Sequence, residues 1–263
     1  MVNYNEMELM ICLASRYLED DSIVVVGTGA SCAAAMLAQR TRAPKLMIMF
    51  EAGGVGSQLP AIPISAGDSR TFYKSLMAAT MPEIMESCQR GMVDYTFLGG
   101  AQIDMYGNIN STIIGDYLRP EVRLPGSGGA NDLASLCWRT MMITAQDKAR
   151  FKKKIDFITT PGYLDGRRSR EAAGLPADGG PYKIITDLAV LGFHDESRRM
   201  QVESLHPGIT REKVVASTGF ELLWTPDLFE SVPPSVEELD ILRNEVDSAR
   251  LIIGSYNTEN IIP

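Results

Sequence analysis

The sequence predicts an α/β fold built on an open, mostly parallel, doubly wound sheet, with some antiparallel strands toward the C-terminus. Two observations support this prediction. Short apolar runs alternate with helical patterns, and the first three of these runs lead into glycines. The chain also has 263 residues, 45% of them hydrophobic, which is enough for one large α/β domain. Because no stretch has the composition of a linker, we expect a single domain covering residues 1–263.

The elements of the first half follow from apolar periodicity. "MVNYNEMELMICLASRYLEDD" has apolar residues at helical spacing among acids, which predicts a surface helix and not a signal peptide. "SIVVVG" predicts the first strand, and the small residues of "TGASCAAAMLAQRT" predict a turn and a helix. "KLMIMFE" and "VDYTFLGG" predict the next strands, with helices between them in "SRTFYKSLMAAT" and "PEIMESCQRG".

The second half adds loops and antiparallel strands. "MYGNIN" predicts a turn, "RLPGSGGAND" a glycine-rich loop before a helix, and "TMMIT" and "KIDFIT" two strands. "TPGYLDGRRSREAAGLPADGGP" is a long loop of the kind that usually has a function. "YKIITDLAVLGFHDESRRMQVESL" predicts antiparallel strands, and Ser235 with Glu238 predicts a capping box for the closing helix "SVEELDILRNEVD".

Composition excludes several classes of function. The formal net charge is −8, with no basic tail, so we expect neither nucleic acid nor an anionic membrane as a partner. The basic stretches "DKARFKKK" and "DGRRSR" are interpreted as solvated loops in preference to a pocket for a phosphorylated ligand. The four cysteines are far apart in apolar contexts, which predicts buried free thiols in a reducing cytoplasm. Two histidines do not make a His-based metal site, so no metal is expected.

"LMIMFEAGGVGS" (residues 46–57) places Glu51 at the end of an apolar strand, directly before glycines. Burying a lone carboxylate is costly, so this position needs an explanation. One interpretation is a dinucleotide site, because "VVVGTGAS" follows a strand, opens a helix and precedes an acid at the next strand end. Cys32 stands where the third glycine of that motif belongs, so the match is incomplete. Another is an idle acid in water at the sheet edge.

The remaining interpretation makes Glu51 a nucleophile. A carboxylate attacks better when it is desolvated and when the charge that develops on its target meets backbone N–H donors. Gly53, Gly54 and Gly56 would let a bulky ligand come close to it. Two more bare loops, "LGGAQIDMYGN" and "GSGGAND", are predicted at the same side of the sheet. Together these loops favour a crevice for a large, phosphate-bearing ligand.

The run "GGAQIDMYGNINST" (residues 99–112), followed by "IGDYLRP" and "GSGGAND", resembles the β subunit of family I coenzyme A transferases. Within that family it is most similar to the β-type polypeptide of glutaconate CoA-transferase. The resemblance covers most of the chain, from "VGTG" through "KIDFITTPGYLDG" and "GLPADGGP" to "TGFEL". It implies the fold shared by CoA transferases and sugar-phosphate isomerases. It also implies an α subunit as partner, in a heterotetramer or heterooctamer.

The resemblance implies roles for individual residues. The family's nucleophile is the acid of a Glu-Ser-Gly pattern, here Glu51 followed by Ala52 and Gly53, so one hydroxyl is missing. CoA, a substrate and not a cofactor, would move between an acyl-CoA and a carboxylic acid such as glutaconate through a covalent glutamyl-CoA. The implied substrate- and CoA-binding residues are Gly27, Gly29, Gly53, Gly54, Gly99, Gly100, Ala101, Gln102, Gly126, Ser127, Gly128, Gly129 and Ala130.

Some alternatives stay open. "ESLHPGIT" matches related ring-cleaving hydrolases that act on CoA thioesters. Hydrolysis, or C–C cleavage or decarboxylation of a ring-derived or branched acyl-CoA with Glu51 as base, is therefore the alternative function. Asp104 and Asn108 are interpreted as structural residues of a turn, and His206 as a turn residue and not a base. Gln102 is either an oxyanion donor or structural.

Overall fold

The computed structural model of the chain describes residues 3–254. Contacts divide the chain into two compact units. The first unit contains the residues up to Phe97 and those from Val232 onward, and the second contains residues 98–231. The chain therefore leaves the first unit after residue 97 and returns to it near its C-terminus.

The first unit is built on β-branched and apolar strands covered by helices. Its strand order is β5-β1-β2-β3-β4, in which β1 is parallel to both β5 and β2 while β3 and β4 are added antiparallel. Its N-terminal helix packs on the next helix and is mostly buried, not on the surface as predicted. The elements are α1 (Glu6–Arg16), β1 (Ile23–Val26), α2 (Ala30–Thr41), β2 (Met47–Phe50), β3 (Gly54–Val55), a 3-10 helix (Ser69–Phe72), β4 (Met77–Ala78), α3 (Met81–Gln89) and β5 (Tyr95–Phe97).

The second unit combines a five-stranded arrangement, β14-β13-β12-β11-β10, with two antiparallel ribbons, β6–β7 and β8–β9. β10 is parallel to β11 and β13 to β14, whereas β11, β12 and β13 are antiparallel. The elements are β6 (Gln102–Ile103), β7 (Ile109–Asn110), β8 (Ile113–Gly115), β9 (Pro120–Arg123), α4 (Ala130–Leu136), β10 (Arg139–Ile143), α5 (Ser169–Ala172), β11 (Gly180–Ile185), β12 (Ala189–Phe193), β13 (Met200–Leu205), α6 (Arg211–Ala216) and β14 (Leu223–Glu230). The predicted α/β class, with parallel strands and later antiparallel ones, is confirmed.

The chain returns to the first unit in α7 (Val236–Ile241), which continues as one π-helical turn (Leu242–Val246). The Ser235 hydroxyl accepts from the Glu238 amide, and the Glu238 carboxylate accepts from the Ser235 amide. The predicted capping box is therefore confirmed. Glu238 also binds Arg16 of α1 at 2.6 Å, which joins the two ends of this unit.

Two predicted elements are wrong. "SRTFYKSLMAAT" forms a short 3-10 helix and the edge strand β4, because the backbone at Thr71 and Ala79 packs directly on Gly54 and Gly53. "KIDFIT" is not a strand; its Asp156 amide donates to the Gln102 side chain and not to a strand ladder. Both errors come from contacts between residues distant in sequence.

The second unit's core lies among β6, β7, β11, β12, β13 and the loop around Phe151, with Phe151 and Met200 fully buried. The four cysteines are buried and free, as predicted, and burial raises the pKa of the Cys32 thiol to about 12. Among the described residues, no helix has the length and apolarity to cross a bilayer, and no three side chains of His, Cys, Asp or Glu form a metal-binding group.

Candidate active site

Glu51 lies in the tight turn between β2 and β3. The Gly53 amide donates a hydrogen bond of 2.9 Å to the Phe50 carbonyl, so Glu51 and Ala52 are the two central residues of the turn. Glu51 is half-buried, and within residues 3–254 its carboxylate has no hydrogen-bond or ion-pair partner. The turn therefore presents a partly desolvated carboxylate whose oxygens are not used by the fold.

The turn after β1 lies beside Glu51. Val26 and Phe50 are the last paired residues of the parallel strands β1 and β2, so Gly27 and Glu51 are the next residues at the same strand edge. Space is open at the Gly27 Cβ position, and Gly29 has a φ of +88° that favours glycine. Gly29 caps α2 without a side-chain hydrogen bond. The first unit thus brings Glu51 together with Gly27 and Gly29.

Gly53 and Gly54 pack against protein backbone. A Cβ on Gly53 would lie 1.9 Å from the Ala79 carbonyl oxygen, and one on Gly54 would lie 1.8 Å from that of Thr71. Real Cβ atoms do not come this close, so the hairpin itself requires glycine at both positions. This packing holds the turn of Glu51 in place; contact of these two glycines with substrate stays a prediction.

The second unit contains the two other predicted glycine loops. Gly99 is exposed with open space around it, whereas a Cβ on Gly100 would meet the Ile109 side chain at 2.2 Å. The Ala101 amide donates to the Asn110 carbonyl at 2.8 Å. The loop thus leaves Gly99 open to a ligand and uses its other two residues to hold the ribbon β6–β7.

Gln102 is only 1% exposed. Its Oε1 accepts from the Asn110 amide group at 2.8 Å and from the Asp156 backbone at 2.9 Å, and its Nε2 donates to the Asp156 carboxylate at 2.7 Å. That hydrogen bond lowers the pKa of Asp156. The geometry favours the structural interpretation of Gln102 over an oxyanion donor.

The loop of residues 126–130 is tied down at its start. The Gly126 amide donates to the Ser111 carbonyl, and the Ser111 hydroxyl donates to the Gly126 carbonyl, both at 2.8 Å. Gly126 and Gly128 have positive φ and open space at their Cβ positions, while Gly129 is buried at the start of α4. At its end, the Ala130 amide donates to the Ser127 carbonyl at 2.9 Å. The loop offers bare backbone on a fixed base.

Thr159 joins these two loop regions, a role that sequence reasoning missed. Its hydroxyl accepts from the Ser111 amide at 2.8 Å and pairs with the Thr112 hydroxyl at 2.7 Å. Its carbonyl accepts from the Asn131 side chain of α4 at 2.9 Å. A threonine in an apolar run resembles a strand residue, so the local sequence carried no sign of this role.

Asp104 and Asn108 have the structural role that was predicted. The Asp104 carboxylate accepts from the backbone amides of Tyr106 and Asn108 and from the Asn108 side chain. The Asn108 Oδ1 accepts from the amides of Gly162 and Leu164. Burial raises the pKa of Asp104. The pair fixes the turn and the start of the long loop.

His206 begins a turn, as predicted, closed by the Ile209 amide on the His206 carbonyl at 3.0 Å. Its ring, however, is 1% exposed. Nε2 lies 2.7 Å from the Thr186 carbonyl and Nδ1 lies 2.9 Å from the Ser231 hydroxyl. A carbonyl only accepts, so Nε2 carries the proton and Nδ1 accepts from Ser231. Both nitrogens are used by the fold, which leaves "ESLHPGIT" without a base.

Comparison with known proteins agrees with this arrangement. The sequence model of the family Coenzyme A transferase matches residues 7–217. The chain is 38% identical over 244 residues to the β-type polypeptide of 3-oxoadipate CoA-transferase from Pseudomonas knackmussii, covering 92% of this chain and 94% of that protein. It is 35% identical over 261 residues to the corresponding polypeptide of glutaconate CoA-transferase from Acidaminococcus fermentans, covering 95% and 96%.

The crystal structure of glutaconate coenzyme A-transferase from Acidaminococcus fermentans has the same fold, with a TM-score of 0.91 at 33% identity over 96% of this chain and 98% of that one. A family match of this extent, together with relatives above 30% identity over nearly their whole length, establishes membership. The chain belongs to the coenzyme A transferase family, as a transferase subunit of the beta type.

Proposed function

We propose that this chain supplies the nucleophile of a heteromeric CoA-transferase, which moves CoA between an acyl-CoA and a carboxylic acid through a covalent intermediate on Glu51. One observation carries the proposal. The Glu51 carboxylate is half-buried in a turn held by Gly53 and Gly54, has no partner in the described residues, and lies beside the open turn at Gly27. A carboxylate kept in this state suits attack on a carbonyl better than a role in the fold.

The proposed reaction needs no added redox or metal chemistry. A Glu51 oxygen attacks the thioester carbonyl, the C–S bond breaks, and an acyl-glutamyl anhydride and CoA thiolate form. The thiolate then attacks the glutamyl carbonyl, and the acyl group leaves as a carboxylate, which gives a glutamyl-CoA thioester. The second carboxylate reverses these two steps and leaves as the new acyl-CoA. CoA is a substrate throughout, and Glu51 is regenerated.

The loops would supply binding energy for these steps. The open backbone at Gly27, Gly99, Gly126 and Gly128 has the space that a long, phosphate-bearing thioester needs. Interactions with the remote part of CoA favour catalysis when they help to press the reacting carbonyl against the nucleophile. Exclusion of water from the anhydride then keeps the thioester energy in the product.

The acids are proposed to be dicarboxylates. The two relatives are named for transfer to or from 3-oxoadipate and glutaconate, and both of these acids carry two carboxylates. Both relatives are also named as one of two kinds of subunit in their enzymes. We therefore propose that an α subunit completes the active site, with the αβ pair doubling to a heterotetramer or heterooctamer. This chain by itself should show no turnover.

Borohydride trapping tests the covalent step. The assembled complex is incubated with acyl-CoA and reduced with borohydride, which converts a thioester to an alcohol and leaves a carboxylate intact. The tryptic peptide of residues 46–70 should then lose about 14 mass units at Glu51. Reduction without acyl-CoA, and reduction of Glu51→Gln with acyl-CoA, are the controls and should leave the peptide unchanged.

An unmodified Glu51 during active turnover would rule out the covalent mechanism. If the thioester is then hydrolysed without transfer, Glu51 acts as a base for water, and the hydrolase alternative replaces transfer. Product analysis with a labelled acceptor acid separates these two outcomes.

A further inference from the structure

Arg170 is a buried cation without a carboxylate partner among residues 3–254. It lies in "DGRRSR", where the sequence predicts solvated basic residues; Arg167 and Arg168 are exposed, but Arg170 is only 2% exposed. Its guanidinium donates only to backbone carbonyls, those of Pro176 at 3.4 Å, Pro161 at 3.2 Å, Gly162 at 3.0 Å, Ala134 at 2.8 Å and Ser135 at 3.1 Å. One side chain thus joins three separate backbone segments.

Such a charge is costly to bury unless its donors are satisfied. Burial lowers the pKa of Arg170, but arginine stays protonated at neutral pH because its ordinary value is so high. The planar guanidinium matches the task, since it presents its N–H groups in a fixed fork that a lysine does not have. Its contacts are therefore specific in direction as well as in charge.

The carbonyls of Ala134 and Ser135 belong to the last turn of α4, whose final carbonyls lack amide partners within the helix. Arg170 supplies these partners, and its positive charge also suits the negative end of the helix. At the other end of α4, the Asn131 side chain donates to the Thr159 carbonyl. Both ends of α4 are thus fixed to the segment of residues 159–170.

The glycine loop of residues 126–130 continues directly into α4. The Leu133 amide donates to the Gly129 carbonyl at 3.0 Å, and the Asn131 amide to the Ser127 hydroxyl at 3.2 Å. A seven-residue helix is about 10 Å long. A tilt of α4 at the Arg170 end would therefore move the loop at the opposite end.

We propose that Arg170 is a positioning residue for the loop of residues 126–130, and that it sets the affinity for CoA by holding α4. The part concerning CoA rests on the proposed function of that loop. The guanidinium touches no reacting group; it acts through the carbonyls of α4 and of the long loop, which it keeps in one arrangement.

The test uses the complex with the α subunit, with Arg170→Met, Arg170→Lys and a control, Ser231→Ala. Ser231 is buried in the same unit and binds Ser204 and His206, away from α4, so its loss lowers stability without touching the loop. Amide hydrogen exchange of residues 126–137 and the dissociation constant of free CoA by calorimetry are measured well below the unfolding temperature of each variant.

Arg170→Met should raise exchange in residues 126–137 and weaken CoA binding by about tenfold, and Arg170→Lys should restore part of both. Ser231→Ala should lower the unfolding temperature with both readouts unchanged. Unchanged exchange in Arg170→Met would overturn the positioning role whatever the reaction is. Faster exchange with normal CoA affinity would overturn the link to CoA. A wild-type complex that binds no CoA would refute the proposed function, and hydrogen exchange would still decide the role of Arg170.

Discussion

Glu8 and Arg243 form a bidentate ion pair between the first helix and the π-helical turn near the C-terminus. Glu8 Oε1 lies 2.6 Å from Arg243 Nε, and Glu8 Oε2 lies 2.9 Å from Arg243 Nη2. Glu8 is 1% exposed and also accepts from the Asn5 amide at 2.9 Å. The pair ties residues 235 positions apart in the sequence, and so closes the first unit.

Arg243→Met should destabilise the protein strongly, because it leaves the Glu8 carboxylate buried without its cation. Loss of one partner of a buried pair costs about 3–5 kcal/mol, measured as the free energy of unfolding in urea. The control is Lys45→Met, which breaks the Lys45–Asp21 pair, 68% exposed on each side; exposed pairs contribute about 0–1 kcal/mol. Equal losses in the two variants would contradict the importance of the buried pair.

Glu51→Asp should lower the rate of transfer by about a hundredfold, because it draws the carboxylate back by one methylene, and misplacement of that size has this cost. Glu51→Gln should abolish transfer, since an amide does not attack a thioester. Initial rates with acyl-CoA and an acceptor acid measure both. Within the Asp variant, the ratio of hydrolysis to transfer should rise as the gap admits water.

Neither substitution at Glu51 should change the unfolding temperature, because no described residue binds this side chain. Full transfer activity in Glu51→Gln immediately after purification would refute the nucleophilic role.

Gly54→Ala should destabilise the first unit by about 3 kcal/mol, as overpacking does, because the new Cβ would lie 1.8 Å from the Thr71 carbonyl oxygen. Gly27→Ala is the matched control: its Cβ meets nothing within 4 Å, so the free energy of unfolding should stay within about 0.5 kcal/mol of wild type. Urea unfolding measures both.

The same pair separates fold from function. Gly27→Ala should raise the KM for acyl-CoA, because the added methyl group narrows the open turn beside Glu51. An unchanged KM would remove Gly27 from the substrate-binding residues.

Acid should destabilise the second unit through His206. Burial lowers the pKa of His206 below its ordinary value of 6.5, so below that pH the unfolded state binds a proton that the folded state does not. The free energy of unfolding therefore falls as the pH drops through 6.5 toward the lower folded pKa, and it is independent of this group above that range. Urea unfolding between pH 5 and 8 measures the slope.

His206→Gln is the control for that slope. The amide can still donate to the Thr186 carbonyl, but it does not titrate, so the part of the pH dependence that belongs to His206 should disappear. Identical slopes in the variant and the wild type would assign the acid sensitivity to other groups.

The parts of the fold that the sequence determined are those encoded by neighbouring residues. β-branched runs specified β1, β2 and β5, and Ser235 with Glu238 specified the start of α7. The position of Glu51 at a strand end followed from the same kind of pattern. The interpretation of Asp104 and Asn108 as turn residues is confirmed for the same reason, since Asx side chains bind backbone within a few residues.

Only the tertiary structure decided the roles of Gln102, Arg170 and His206. Gln102 binds Asp156, 54 positions away, Arg170 binds Ala134, 36 positions away, and His206 binds Ser231, 25 positions away. The same holds for the helix predicted in "SRTFYKSLMAAT", which gave way to a close backbone contact with Gly53 and Gly54.

The physical reason is that a buried polar group takes the partner that packing brings to it. Local propensities amount to less than about 1 kcal/mol per residue, whereas a buried donor or acceptor left unpaired costs about 1–3 kcal/mol. Where the two conflict, the distant partner decides the local structure. Such a partner is set by the packing of the whole unit, and no short stretch of the sequence names it.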